Sequence, residues 1–271
     1  MKTLYLSDLD GTLLRNDETI SPFTAGVINE LCEKGVSFSF ATARSLVTTR
    51  KVTSSIKNSL PVIVYNGTFI MENQKGEILH SSFLEENTEE LFEDIRKNGV
   101  YPVVYSFTEG MEKLSFVKGK SSQGQLIYLK SREGDKRINP VSTFDELLKG
   151  DKFYITCIDD KEKLLPIYEK YKEKFRCLYQ KDYYSDYFWL EIMPKNATKA
   201  NAALKLKEML KCDRLVVFGD EINDIELFKI ADEAVAVANA CEELKPFATA
   251  FTDSNENDGV AKYIIKNSRQ S

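Results

Sequence analysis

The chain has 271 residues, of which 42% are hydrophobic and 29% are charged, and its formal net charge is −5. This length and composition are typical of a folded, soluble protein with one or two domains and exclude a disordered chain. The acidic charge offers no bulk attraction to nucleic acid or to an anionic membrane, and no apolar run is long enough to span a bilayer. We therefore predict neither nucleic-acid nor membrane partners.

The five cysteines are scattered and contain no C-x-x-C pair, which supports neither a zinc ribbon nor a disulfide framework. His80 is the only histidine, and it follows a predicted hairpin strand. Any chemistry must therefore depend on carboxylates, lysine, threonine and a metal ion. Because residues 1–3 lead directly into the first predicted strand, we expect no signal peptide and a cytoplasmic location.

The first predicted element is a buried strand at residues 3–6, and two carboxylates follow it closely, at Asp8 and Asp10. The carboxyl edge of an open parallel sheet is where such folds bind ligands. Two acids this close repel each other, so either one pKa rises or a cation lies between them, and Mg²⁺ prefers such oxygen ligands. Gly11 permits a tight turn, which Thr12 can cap, or Thr12 can donate to an anion. An ordinary Asp-Gly turn is the alternative interpretation.

Helices and strands then alternate as far as residue 65, and a hairpin follows. The predicted order is a helix from residue 22 to Gly35, a strand at 36–41 that ends in Thr42, Ala43 and Arg44, a polar helix at about 45–56, a strand at 61–65 that ends in Asn66 and Gly67, and a hairpin of 69–71 with 78–79. Repeats of strand, helix and strand predict a right-handed parallel α/β sheet.

The composition changes from residue 83 onwards. Ten of the 13 tyrosines fall between Tyr101 and Tyr187, among further strands and a highly charged amphipathic helix. We predict an inserted α+β domain at residues 83–187, flanked by a core domain of residues 1–82 and 188–271.

The α/β pattern resumes after the insertion. A long helix begins near Thr198, and a strand at 215–218 ends in the segment Gly-Asp-Glu-Ile-Asn-Asp at 219–224. Beyond it we predict a helix at 225–230, a strand at 234–237, a helix from about 241, a short strand at 248–252 and a final helix.

Four predicted strand ends carry unusual polar residues. They are Asp8 with Asp10, Thr42 with Arg44, Asn66 with Gly67, and Asp220 with Asn223 and Asp224. Because the carboxyl ends of parallel strands lie at one edge of a sheet, we expect these groups to converge on one cleft. The alternative, that each is a cap or a turn, would have to apply four times at the same edge.

A metal and an anion could share this cleft. Asp8 and Asp220 could hold Mg²⁺ from two strands, and Asp224 lies one helical turn beyond Asp220, where it could bind the ion or orient a metal-bound water. A helix-terminal charge favoured by the dipole is the alternative for Asp224. Lys199 lies in the first turn of a helix, where the macrodipole disfavours a cation. We therefore predict that it completes a phosphate site; the alternative is a lysine on a solvated helix face.

The chain resembles the haloacid dehalogenase superfamily of phosphohydrolases, in its Cof-type (class IIB) branch. The matching segments are Asp-Leu-Asp-Gly-Thr at 8–12, Ala-Thr-Ala-Arg at 41–44, Tyr-Asn-Gly at 65–67, Thr-Lys at 198–199, Gly-Asp-Glu-Ile-Asn-Asp at 219–224, Ala-Val-Ala-Asn-Ala at 236–240 and Asn-Asp-Gly-Val at 257–260. Ala43 departs from the glycine common in this branch. The resemblance implies a Rossmann-like parallel-sheet core with a large inserted α+β cap that closes over the cleft and selects the substrate.

The resemblance also implies residue roles. Asp8 would attack phosphorus to form an aspartyl-phosphate, and Asp10 would protonate the leaving oxygen and then activate the hydrolytic water. Mg²⁺ would be held by Asp8, the backbone carbonyl of Asp10, Asp220 and Asp224, while Thr42 and Lys199 would neutralise the phosphoryl oxygens. The predicted substrate contacts are Thr12, Arg44, Asn66, Gly67 and Asn223.

The predicted function is that of a Mg²⁺-dependent phosphatase acting on small phosphorylated metabolites, such as sugar phosphates. Two alternatives stay open: a phosphotransferase or mutase that uses the same intermediate, and a regulator that binds a phosphometabolite without turnover. The partner is a small-molecule phosphate ester, and we expect a monomer or a weak homodimer.

Overall fold

The computed structural model describes residues 1–57, 59–84, 88–182 and 186–268. Across these residues, none of the helices combines the length and the apolar character of a transmembrane span. The helices and strands run in the order β1 (Thr3–Ser7), α1 (Pro22–Glu33), β2 (Ser37–Phe40), α2 (Leu46–Val52), β3 (Val62–Val64), β4 (Phe69–Met71), β5 (Ile78–Ser81), α3 (Glu89–Lys97), β6 (Val103–Thr108), β7 (Met111–Val117), α4 (Gln123–Ser131), β8 (Ile138–Val141), β9 (Asp151–Asp159), α5 (Lys161–Tyr171), β10 (Arg176–Lys181), β11 (Phe188–Met193), α6 (Lys199–Met209), β12 (Arg214–Gly219), α7 (Ile225–Ile230), β13 (Glu233–Ala236), β14 (Ala250–Phe251) and α8 (Gly259–Ser268).

These elements form two compact units. The core unit comprises Met1–Ser81 and Ala197–Ser271, and the insert unit comprises Ser82–Asn196. The predicted return to the core at residue 188 is wrong, because the structure places it at Ala197. Strand β11 pairs antiparallel with both β9 and β10, so its apolar side chains complete the sheet of the insert unit instead of the core.

The core unit is built on a five-stranded parallel sheet with the strand order β14-β13-β12-β1-β2. Strands β1 and β12 are almost entirely buried runs of apolar residues, as is typical of parallel sheets that are covered on both faces. The predicted α/β class with a parallel-sheet core is therefore confirmed.

Three predicted core elements differ from the structure. Strand β3 pairs antiparallel with β4 and contacts the main sheet through a parallel bridge between Ala41 and Ile63. The helix predicted at 45–56 is the shorter α2, which Thr53 follows as the C-cap. The helix predicted from about residue 241 is a 3₁₀ turn at Lys245–Phe247. Pro246 lacks the N–H that a helix begun at 241 would need at that position.

The insert unit contains a six-stranded sheet with the order β10-β11-β9-β6-β7-β8. Its strands pair antiparallel, except that β7 and β8 are parallel. Helices α3 and α5 contact each other, and their apolar faces share a buried core with β9 and β11. Because the insert has an apolar core of its own, it has the character of a separate domain.

Candidate active site

Three buried acids meet at the carboxyl edge of the parallel sheet. Strands β1 and β12 are neighbours in register, and the Asp8 N–H donates to the carbonyl of Phe218 at 3.0 Å. Asp8 therefore follows β1 beside the end of β12, one residue before the level of Asp220. Together with Asp224 they form a cluster in which one carboxylate oxygen of each acid lies within 4.8 Å of the others. Asp8 is 5% exposed, Asp220 6% and Asp224 0%.

Asp224 is fixed by the turn that carries it. Its Oδ2 accepts hydrogen bonds from the N–H of Asp220 at 3.2 Å and of Glu221 at 3.4 Å, within a capping box that begins at Glu221. A Cβ at Gly219 would lie 2.6 Å from the same oxygen, so only glycine allows the turn to fold back so closely. Asp224 is therefore held by the backbone of the segment that presents Asp220.

Lys199 connects two of the acids. It is the first residue of α6, where Thr198 caps the helix by accepting from the N–H of Asn201 at 3.0 Å. The Lys199 Nζ donates to Asp8 Oδ1 and to Asp224 Oδ1, both at 2.8 Å, and its side chain is fully buried. Burial alone lowers the pKa of Lys199, but Asp224 and Asp8 more than reverse that effect, and the pKa is raised. The ammonium therefore stays charged beside Asp8.

The acids carry more negative charge than Lys199 balances. Burial raises the pKa of Asp8 well above its ordinary value; Lys199 opposes that shift, whereas Asp224 and Asp220 add to it. Burial also raises the pKa of Asp220 to about 7, against the hydrogen bond from Thr12 and with the repulsion of Asp224. A cation placed among these oxygens would relieve the repulsion.

The donor set fits a hard divalent cation. Asp8 and Asp220 each accept one protein donor, on Oδ1, while Asp224 uses both of its oxygens. Within the described part of the chain, no donor reaches Oδ2 of Asp8 or of Asp220. Two carboxylate oxygens from adjacent strands are therefore available to Mg²⁺, and Asp224 is placed to orient its neighbours.

The loop after β1 closes against Asp220. The Thr12 hydroxyl donates to Asp220 Oδ1 at 2.7 Å. Gly11 has φ +71°, and a Cβ there would lie 2.1 Å from Asp220 Oδ2. The predicted substrate contact Thr12 thus binds a carboxylate in this structure, and Gly11 provides the close approach.

The carboxylate of Asp10 lies outside the buried acidic cluster. Its side chain is 51% exposed, and Arg44 Nε donates to Asp10 Oδ2 at 2.8 Å. Arg44 also pairs with Glu18 at 3.1 Å, and the hydrogen bond to Asp10 is the main cause of its raised pKa. The structure thus pairs two predicted site residues, Asp10 and Arg44, and adds Glu18, for which the sequence offered no signal.

The remaining predicted residues follow strands β2, β3 and β12 and contact one another or the start of α6. The Asn66 N–H donates to the carbonyl of Thr42 at 2.9 Å, and Asn223 Nδ2 donates to Asn66 Oδ1 at 3.3 Å. The Oδ1 of Asn223 is buried and finds no partner among the described residues. At Gly67, with φ +97°, a Cβ would lie 2.1 Å from the carbonyl oxygen of Thr198, so this glycine lets the start of α6 approach.

Sequence reasoning missed Asn239 as a site residue. It follows β13, and its Nδ2 donates to the carbonyl of Gly11 at 2.7 Å. The segment 236–240 matched the family pattern, but an asparagine in a surface turn gives no sign of a partner 228 residues away.

Comparisons with known proteins agree with this architecture. The family model for haloacid dehalogenase-like hydrolases matches residues 5–264. A candidate phosphatase of Haemophilus influenzae is 29% identical over 264 residues, which cover 96% of each chain. The 5-amino-6-(5-phospho-D-ribitylamino)uracil phosphatase YcsE of Bacillus subtilis is 27% identical over 267 residues, covering 96% of this chain and 94% of that one. The crystal structure of TM0651 from Thermotoga maritima aligns with a TM-score of 0.80 and 26% identity, covering 98% of this chain and 97% of that one.

Proposed function

The chain belongs to the haloacid dehalogenase-like hydrolases, and on that premise we propose that it is a Mg²⁺-dependent phosphatase of small phosphorylated metabolites. The observation that carries the proposal is the contact of the buried Asp8 with the ammonium of Lys199, beside Asp220 and Asp224. A site that only binds phosphate needs hydrogen-bond donors, whereas this site also contains a buried carboxylate, Asp8, which we propose as the nucleophile and which a binding protein would not need.

Mg²⁺ would be held by Asp8, Asp220 and the backbone carbonyl of Asp10, with Asp224 orienting the site. When bound, the ion supplies positive charge against the phosphoryl oxygens and reduces the repulsion among the acids. Lys199 supplies a second, permanent positive charge. Thr42 lies at the neighbouring strand end, where it would donate a hydrogen bond to the phosphate.

The chemistry follows from the two acids after β1. An oxygen of Asp8 forms a bond to phosphorus as the ester P–O bond breaks, and Asp10 gives its proton to the leaving oxygen. Asp10 then takes a proton from water, whose oxygen attacks phosphorus, and the bond to Asp8 breaks to release inorganic phosphate. Both acids return to their starting states.

Arg44 connects substrate binding to the second acid. It holds the Asp10 carboxylate in this structure, and a substrate phosphate is a competing bidentate partner for the same guanidinium. We expect Arg44 to turn toward the substrate, which frees the Asp10 carboxylate to take up a proton from solvent and then to reach the leaving oxygen as the acid. Asn66, Gly67 and Asn223 are the further substrate contacts proposed, and the unpartnered Oδ1 of Asn223 supports its inclusion.

The proposed substrates are phosphomonoesters of sugars and related polyols. The B. subtilis relative YcsE is named for a phosphorylated ribitylamino compound, which is a member of that class. Selection among such esters is assigned to the insert unit, as the family resemblance implies.

The test is phosphate release from a panel of sugar and nucleotide monophosphates, with Mg²⁺, with EDTA, and with the variant Asp8→Asn. Release that requires both Mg²⁺ and Asp8 is the expected result. Binding of substrates without release from any of them would contradict the proposal and favour a regulator, whereas transfer to an added alcohol instead of water would indicate a phosphotransferase.

A further inference from the structure

The proposed reaction requires two separate loops to stay in register. Asp8 and Asp10 lie in the loop after β1, and Asp220 lies in the loop after β12. A cation shared by Asp8 and Asp220 tolerates little change in the spacing of its oxygens. The segment 238–241, which follows β13, contacts both loops.

One contact is made by a side chain and the other by the backbone. Asn239 Nδ2 donates to the carbonyl oxygen of Gly11 at 2.7 Å, between Asp10 and Thr12. Two residues later, the N–H of Cys241 donates to the carbonyl oxygen of Asp220 at 2.8 Å. A single turn of chain therefore holds the backbone beside both halves of the proposed metal site.

Asn239 is itself held by a second asparagine. Its Oδ1 accepts from the N–H of Asn255 at 3.0 Å. Asn255 is buried, and its Nδ2 donates to the carbonyl oxygen of Leu14 at 2.9 Å. The two asparagines thus fix the loop after β1 at Gly11 and at Leu14, on either side of Thr12.

This pairing uses both functional atoms of the Asn239 amide. The amide nitrogen serves one loop and the amide oxygen serves another, at chain separations of 228 and 16 residues. A surface asparagine that merely capped its own turn would bond to nearby backbone instead. The carbonyl of Gly11 belongs to the peptide that leads into Thr12, whose hydroxyl donates to Asp220.

We propose that Asn239 is a positioning residue of the phosphatase site, which holds the loop of Asp8 and Asp10 in register with Asp220. The inference rests on the proposed function. Asn239 contacts the Gly11 carbonyl rather than the reacting groups, so it acts through the geometry of the metal site. Its loss should weaken Mg²⁺ binding and slow the chemical step while substrate binding changes little.

The test compares Asn239→Ala and Asn239→Asp with Asn257→Ala. Asn239→Asp keeps the acceptor for Asn255 and the size of the side chain but cannot donate to Gly11. Asn257 is an exposed asparagine of the same C-terminal region, and its Nδ2 donates to Ser254 Oγ at 2.9 Å, which makes it the matched control. Calorimetry measures Mg²⁺ binding, and p-nitrophenyl phosphate hydrolysis gives kcat, KM and the Mg²⁺ concentration for half-maximal rate.

For both Asn239 variants, either the Mg²⁺ affinity or kcat should be about 10- to 100-fold lower than for wild type. KM should change by less than about twofold. Asn257→Ala should match wild type. Mg²⁺ affinity and kcat within twofold of the control in Asn239→Ala and Asn239→Asp, alongside an active wild type, would overturn this inference alone. A wild type that neither binds Mg²⁺ nor releases phosphate would overturn the proposed function together with it.

Discussion

Replacing Asp220 with asparagine should stabilise the metal-free protein increasingly as the pH rises. Burial raises the pKa of Asp220 from 3.8 to about 7. Between these two pH values the folded protein binds more protons at this site than the unfolded chain does, so the stability associated with the group is present below pH 3.8 and is lost as the pH rises toward 7. Asparagine does not ionise, and its Oδ1 can still accept from Thr12.

The shift sets the size of the effect. A pKa displacement from 3.8 to about 7 corresponds to about 4 kcal/mol of unfolding free energy once the carboxyl group is ionised. In EDTA, the variant Asp220→Asn should therefore equal wild type near pH 4 and exceed it by on the order of 4 kcal/mol at pH 8. Added Mg²⁺ should stabilise wild type and leave the variant unchanged, because the variant has lost a proposed ligand.

Urea unfolding at several pH values measures both proteins directly. Asp232→Asn is the matched control, because hydrogen bonds from the Leu215 N–H and from Lys207 lower the pKa of Asp232. Removing the Asp232 carboxyl group should therefore lower the free energy of unfolding as the pH rises, which is the opposite of the effect expected at Asp220. A difference between Asp220→Asn and wild type that stays constant from pH 4 to pH 8 would refute the reasoning.

Three further predictions concern the same site. Lys199→Met leaves two buried carboxylates without their counter-charge and should lower the unfolding free energy in urea by about 3–5 kcal/mol at pH 7; the exposed Lys205→Met on the same helix should stay within about 0.5 kcal/mol of wild type, and equal losses would contradict the buried-pair argument. Gly67→Ala should lower the melting temperature more than Gly35→Ala, since both have positive φ but a Cβ meets the Thr198 carbonyl only at Gly67. Dialysis against EDTA should abolish phosphate release, and Mg²⁺ should restore it; full activity after chelation would exclude the metal.

Much of the fold could be predicted because the strands of a buried parallel sheet are distinctive. The apolar runs of β1 and β12, each followed by acids, predict strand ends at one edge of the sheet, and the structure brings carboxylate oxygens of Asp8, Asp220 and Asp224 within 4.8 Å of one another there. The family resemblance is confirmed by the match over residues 5–264. A cation is unfavourable in a first helical turn, which predicts a special role for Lys199, and the structure pairs its ammonium with two carboxylates. Its contact with phosphate stays a prediction.

Other features depend on pairing that local sequence does not record. Strand β11 is apolar enough for either sheet, and only its antiparallel partners β9 and β10 assign it to the insert unit. The pairing of Asp10 with Arg44 depends on where the loop after β1 points. Thr12 is predicted as a substrate contact, and in the structure its hydroxyl donates to Asp220. Asn239 donates to a residue 228 positions away in the chain, which no short-range pattern can indicate.

The central claim is that Asp8 becomes phosphorylated during turnover. The direct measurement uses the variant Asp10→Asn with Mg²⁺ and p-nitrophenyl phosphate, whose leaving group needs no acid, so that hydrolysis of the intermediate is slowed. After acid quench and borohydride reduction, which converts an acyl phosphate to an alcohol, mass spectrometry of the N-terminal peptide should find homoserine at position 8. The product should be absent with EDTA and in Asp8→Asn. Turnover with position 8 unmodified, or modification of another residue, would contradict the account.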